Sequence, residues 1–272
     1  LTHHEYRPRP GRPAPRAWRL AVALVAALLV AGCAATGGGG PAATPAITSA
    51  SASLAPSPPV TSAPAAVSAA TLDPVVSMIT PAQWQRIVAV GAWHTGCPVG
   101  RQQLRRVTMT HWGFDGKLHR GVLVVNADVV SSVKRIFTRL LSDRFPIRQM
   151  EPIEQYGGDD NASMRADNSS AFNCRRASQA NAPATDSPHA NGRAIDLNPL
   201  ENPWTDPRCH CWQPSSRYAA RTPGTGKIIK GNAVWQAFHA EGWIWQDIKG
   251  ADYQHFDTGY PSRPLPRTAT SS

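Results

Sequence analysis

Two stretches of this chain hold side chains of the kinds that bind a cation beside an open coordination position. The first is Ser187-Pro188-His189-Ala190-Asn191-Gly192-Arg193-Ala194-Ile195-Asp196-Leu197-Asn198. His189 and Asp196 stand seven positions apart with a glycine between them. They converge if the histidine sits on a loop and the aspartate on the strand that follows. Two donors do not make a catalytic zinc site, which takes three protein ligands and keeps one position for water. The candidate for the third is His255, in Asp252-Tyr253-Gln254-His255-Phe256-Asp257.

Elements to carry these residues are legible around them. Thr80-Pro81 before Gln83 to Val90 predicts a helix with a hydroxyl cap and proline in its first turn. Leu104 to Trp112 and Gly121 to Asn126 are β-rich runs joined through Gly113-Phe114-Asp115-Gly116, which predicts a hairpin. Asp128 is expected to cap the next helix, where Val129, Val133, Ile136, Phe137 and Leu140 recur at helical spacing. Phe145-Pro146-Ile147 begins an extended segment. After Tyr156 a polar, loop-like run extends to Thr185, the kind of segment that carries binding residues on a rigid scaffold. Asn232 to Ala240 reads as a last helix, and Trp243 to Trp245 and Tyr253 to Asp257 as closing strands. With no regular βαβ repeat, the class expected is α+β, one domain over residues 73–264 with a small antiparallel sheet flanked by helices.

The two stretches resemble the Ser-x-His-x-x-Gly-x-Ala-x-Asp and Asp-x-x-His motifs of the D-Ala-D-Ala carboxypeptidase (VanY-like) zinc metallopeptidases, whose fold is shared with lysostaphin-type enzymes and the hedgehog domain. Ser187, His189, Gly192, Ala194 and Asp196 complete the first motif, and Asp252 and His255 the second. Further similarity covers Gly113 to Gly116, Asp160 to Met164 and Ser170 to Arg175. The resemblance implies that His189, Asp196 and His255 bind Zn2+, that Asp252 is the general base, and that Arg175, or its neighbour Arg176, binds the substrate carbonyl oxygen or carboxylate. Chemistry agrees with that division: two neutral imidazoles and one carboxylate leave the ion net positive, which lowers the pKa of bound water. One departure concerns groove shape: family members often carry Gly-Gly-Asp-Trp where this chain has Trp243-Ile244-Trp245-Gln246-Asp247-Ile248.

Other residues carry less. No Gly-x-Ser-x-Gly surrounds Ser187, so a supporting hydrogen bond toward the site and substrate is expected of it rather than nucleophilic attack. Asp159 and Asp160, after two glycines, read as turn residues. His94, His111, His119 and His239 have no matching motif. Trp243 and Trp245 either line the substrate groove or pack.

Outside the domain, five arginines precede the apolar run Leu20 to Val30, which reads as an export signal and is too short to span a bilayer comfortably. Val30-Ala31-Gly32-Cys33 resembles a bacterial lipobox, which implies lipid attachment at Cys33 after a signal over residues 1–33. Residues 34–72 are Gly, Pro, Ala, Ser and Thr rich and expected to form a flexible tether, with a disordered tail at 265–272. Removing residues 1–32 takes Lys plus Arg from 28 to 23, Asp plus Glu from 18 to 17, and net charge from +10 to +6. A mildly basic surface suits an anionic wall polymer, and no Lys/Arg stripe with interleaved aromatics argues for nucleic acid. Cys97, Cys174, Cys209 and Cys211 allow two disulfides in three pairings, with Cys209-His210-Cys211 as a metal-site alternative.

The reading is a lipid-anchored, extracytoplasmic monomer facing the cell wall, which hydrolyses peptidoglycan stem peptides containing D-amino acids. The rival is a lipoprotein that keeps the fold and binds wall peptides without cutting them; an intact Asp252 favours the enzyme.

Overall fold

The computed structural model describes residues 70–175, 187–246 and 250–265. The export run, Cys33, the tether up to residue 69, Arg176, Asp247, Ile248 and the tail beyond residue 265 lie outside them. Among the described residues no helix is long and apolar enough to cross a membrane.

Among the described residues the architecture is mixed α+β, with three small sheets where the sequence predicted one. The first is antiparallel in the order β1 (Val75–Met78), β2 (Leu104–Trp112), β3 (Leu118–Asn126). Its hairpin pairs Leu104 with Asn126 and Trp112 with Leu118. Between β1 and β2, α1 (Pro81–Ala89) starts as expected, Thr80 and Gln83 forming a reciprocal capping box with Pro81 in the first turn. After β3 the cap differs from expectation. Asn126, not Asp128, caps a single 3-10 turn, and α2 (Val130–Ser142) follows with no side-chain cap. Asp128 instead pairs with Arg193 at 2.5 Å, because that guanidinium reaches it from the loop bearing His189.

Helix α2 buries Val133, Ile136, Phe137, Leu140 and Leu141, an apolar stripe at i, i+3, i+4 and i+7. It packs against β2 and against α4 (Ala233–His239), which Asn232 caps. Side-chain alternation on β3 sends Leu123 and Val125 into this main core and Val124 into a second cluster with Ile79, Ile87 and Phe172. Trp243 is buried and donates from Nε1 to Ser132 Oγ at 2.9 Å, and Trp245 Nε1 donates to Tyr253 O at 2.8 Å. Both tryptophans therefore pack, and neither lines the cavity described below.

A second, antiparallel sheet runs β6 (Ala194–Asp196), β10 (Asp252–Asp257), β7 (Trp204–Asp206), β8 (Cys211–Gln213), with β9 (Ile244–Gln246) also on β10. The run expected to be loop-like holds a short helix, α3 (Asp160–Arg165), capped by Asp159, and β5 (Asn168–Ser169), which pairs in parallel with β4 (Gln149–Met150). Six residues are too few to show a helical period. The disulfides are Cys97–Cys174 and Cys209–Cys211. A metal at Cys209-His210-Cys211 is thereby excluded, since both sulfurs are committed to each other.

Candidate metal centre

Strand pairing brings two of the three expected donors together. His255 on β10 stands directly across from Asp196 on β6, so both side chains leave the same face. His189 arrives from the turn before β6, closed by Gly192 N donating to His189 O (3.0 Å) and Arg193 N to Pro188 O (2.7 Å). The turn needs glycine at 192, where φ is +66° and a Cβ would lie 2.7 Å from Asn126 N. The end of β3 holds this turn: Asn126 N donates to Gly192 O (2.8 Å) and Asn126 Nδ2 to Asn191 O (3.0 Å).

The three buried donors meet. His189 Nε2 lies 3.0 Å from His255 Nδ1 and 3.2 Å from Asp196 Oδ2, and His255 Nδ1 lies 3.0 Å from Asp196 Oδ1. Acceptor-only partners set both tautomers. His189 donates through Nδ1 to the Ala171 carbonyl, and His255 donates through Nε2 to Asp257 Oδ2 at 3.0 Å. Nε2 of His189 and Nδ1 of His255 then face each other and a carboxylate, an arrangement that requires positive charge between them, either a proton on His255 Nδ1 or a metal ion in its place. Four donors ~2.0–2.1 Å from a shared centre stand ~3.3 Å apart in a tetrahedron, close to the separations found. The donor set fits a metal ion.

Electrostatics agrees. Burial disfavours charge on Asp196, but the imidazoles of His189 and His255 outweigh it and hold the carboxyl well below its usual range. Burial likewise opposes a charge on His255, yet hydrogen bonds to Asp196 and Asp257 push it up to about 10. The pocket thus favours positive charge. Asp257 is braced in turn by Gln246 Nε2 (2.8 Å) and Gly259 N (2.7 Å). No motif pointed to Asp257, although a residue two beyond a ligand on a strand shares its face. The Ala171 carbonyl has no signature in sequence at all.

Around the donors lies a cavity of about 750 Å³, lined among others by Asp160, Arg175, Ser187 and Asp252. Asp252 Oδ1 is buried with no hydrogen-bond partner. Burial, with a contribution from Asp196, raises its carboxyl to about 6 against the pull of His255. Arg175 is held through Nε by Asp160 Oδ2, while Asp160 Oδ1 accepts from Asn173 Nδ2 at 2.7 Å. The turn reading of Asp160 is therefore incomplete: Asp159 caps α3, and Asp160, one residue on, fixes the arginine. The Cys97–Cys174 bond anchors the residue next to Arg175, and His94 Nε2 donates to Arg175 O at 3.2 Å. Ser187 is buried in the wall, its carbonyl accepting from Asn191 N (3.2 Å) and Nδ2 (2.9 Å). Among the described residues one further donor group, His94 with Cys97 and Cys174, is close enough to hold an ion, but its sulfurs form the disulfide.

Residues 180–258 match the D-alanyl-D-alanine carboxypeptidase family. The carboxypeptidase match spans His189, Asp196, Asp252 and His255, and begins after Asp160 and Arg175. No curated protein and no solved structure matches the chain. The match covers less than a third of the chain, and within it lies a buried donor set able to hold a metal.

Proposed function

We propose that this chain is a zinc-dependent peptidase of D-alanyl-D-alanine carboxypeptidase type, acting on D-amino-acid-containing bonds of peptidoglycan stems in cell-wall remodelling. One observation carries it: three converging lone-pair donors share a cavity with a buried carboxylate oxygen, on Asp252, that has no partner of its own. Two imidazoles and a carboxylate are a donor set of catalytic zinc sites. Zinc held there supplies a Lewis acid for the substrate carbonyl and a water of lowered pKa.

The chain's own residues do the rest. Asp252 accepts a proton from the attacking water and delivers it to the leaving amine. Its unpaired oxygen makes this possible, since nothing else competes for that position. Arg175, its Nε taken by Asp160, directs its terminal nitrogens to the substrate carbonyl oxygen or carboxylate, where charge develops. Ser187 supports the ligand turn and borders the bound peptide. A lysostaphin/D-Ala-D-Ala peptidase/hedgehog-type fold, lipid attachment at Cys33, and an extracytoplasmic place facing the wall complete the reading.

The test is hydrolysis of defined stem peptides by the purified chain, with and without a chelator, products being identified by mass. The result expected is chelator-sensitive release of D-Ala or a stem fragment. Asp252→Ala is expected to keep its metal and lose about 10²–10⁴-fold in turnover. Parent-like turnover in that variant would remove Asp252 from the base role.

A further inference from the structure

Buried polar atoms without partners are rare in folded chains, and each calls for an explanation. Among the described residues two of them belong, besides Asp252, to residues that line the cavity: Gln254 Oε1 and Trp204 Nε1. Gln254 is 4% exposed and Trp204 6%. The Gln254 carboxamide is poorly satisfied at both ends, because among the described residues its Nε2 meets only the Met164 thioether at 3.6 Å, a weak acceptor. Its backbone, by contrast, is used normally, Gln254 O accepting from Leu197 N at 3.0 Å. The side chain therefore carries an unmet donor and acceptor next to the ligand His255 and two residues from Asp252.

We propose that Gln254 is a specificity-determining residue that reads the peptide unit adjacent to the scissile bond, its carboxamide pairing with a backbone amide of the substrate while Trp204 Nε1–H serves a neighbouring acceptor. The assignment rests on the peptidase reading above and deepens it. A carboxamide offers a secondary amide both complementary groups, so the ligand that satisfies it is an uncharged peptide link. A carboxylate, which only accepts, would leave Gln254 Oε1 unmatched, and the peptidase reading of the site favours a peptide link over a hydroxyl. An apolar residue such as leucine would fill this wall beside Met164 without the cost of an unpaired buried amide. A group that costs stability in the free protein and belongs to a residue lining the reaction cavity is best explained by a partner that arrives with the substrate.

The experiment compares the parent chain with Gln254→Leu in three respects: thermal midpoint, bound metal, and hydrolysis of two stem peptides differing only by N-methylation of the amide next to the scissile bond. The variant is expected to melt at the same temperature or higher, to hold the same metal, and to lose about tenfold in kcat/KM on the unmethylated peptide, the worth of one neutral hydrogen bond. N-methylation should cost the parent about tenfold and the variant far less. A lower melting point with unchanged kcat/KM would make Gln254 a structural residue and overturn the proposal. So would an equal methylation penalty in both proteins. If the parent hydrolyses neither peptide, the peptidase reading fails by itself. Calorimetric binding of the same two peptides to the metal-free chain then decides Gln254 by the same comparison.

Discussion

The hairpin half of the molecule and the ligand half share an apolar core but bury polar side chains in unequal measure. In β2, β3 and α2 the interior is Val107, Met109, Leu123, Val125, Val133, Ile136, Phe137 and Leu140, all almost fully buried. Between residues 187 and 258 the buried set includes His189, Asn191, Asp196, Asn198, Glu201, Asn202, Gln254, His255 and Asp257. Apolar burial is non-directional and follows area, so the first half needs only the right period. Polar burial must be satisfied atom by atom, so the second half is fixed by named partners. His189 depends on one carbonyl, His255 on one carboxylate, and Asn198 on the Pro146 and Gly226 carbonyls. Stability should therefore be lost mainly in the first half and chemistry mainly in the second.

The sharpest way to break that contrast is a crossed pair of substitutions. His255→Ala is expected to abolish stoichiometric metal binding after dialysis and with it all detectable turnover, while the chain still melts cooperatively. Phe137→Ala is expected to cost about 3–5 kcal/mol in denaturant unfolding and to leave kcat/KM per folded molecule unchanged. Equal loss of activity in both variants would mean that the halves are not separable. A smaller effect is expected one step back from the metal: Asp257→Ala should weaken metal affinity about 10–100-fold, read by competition with a chromophoric chelator.

The subtlest test uses Glu201, buried beside Asp167 in the polar half. Burial first, then the neighbouring Asp167 charge, raises its carboxyl from 4.5 to about 8. Through that window the folded chain holds a proton that the unfolded chain has released, so stability falls as pH rises from about 4.5 to about 8 and is flat above. Glu201→Gln should remove this slope in urea midpoints measured from pH 5 to 8. An unaltered slope would place the proton elsewhere.

This division also explains what could be read in advance. The hairpin, α1, α2 and α4 announce themselves through period and caps, and three donors through residue type and spacing. Asp128 was misread because the cap rule is local, whereas its actual partner, Arg193, lies 65 positions away. Asp257, the Ala171 carbonyl and the Asp160–Arg175 pair stayed hidden for a related reason. Hydrogen bonds across distant segments leave no period, and a main-chain carbonyl carries no residue identity. Which two of four cysteines join was equally a matter of tertiary proximity.

The bare Cα of Gly192 is where the two halves touch backbone to backbone, with Asn126 N too near to admit even a methyl group. Such a seam has no slack for repacking to absorb. Substitutions in the apolar interior away from Leu104 and Val125 reach the ligands only through packing, but any shift of Asn126 is handed straight to the turn that aims His189. The ligand's bearing is thus surveyed from the scaffold, not from its own loop.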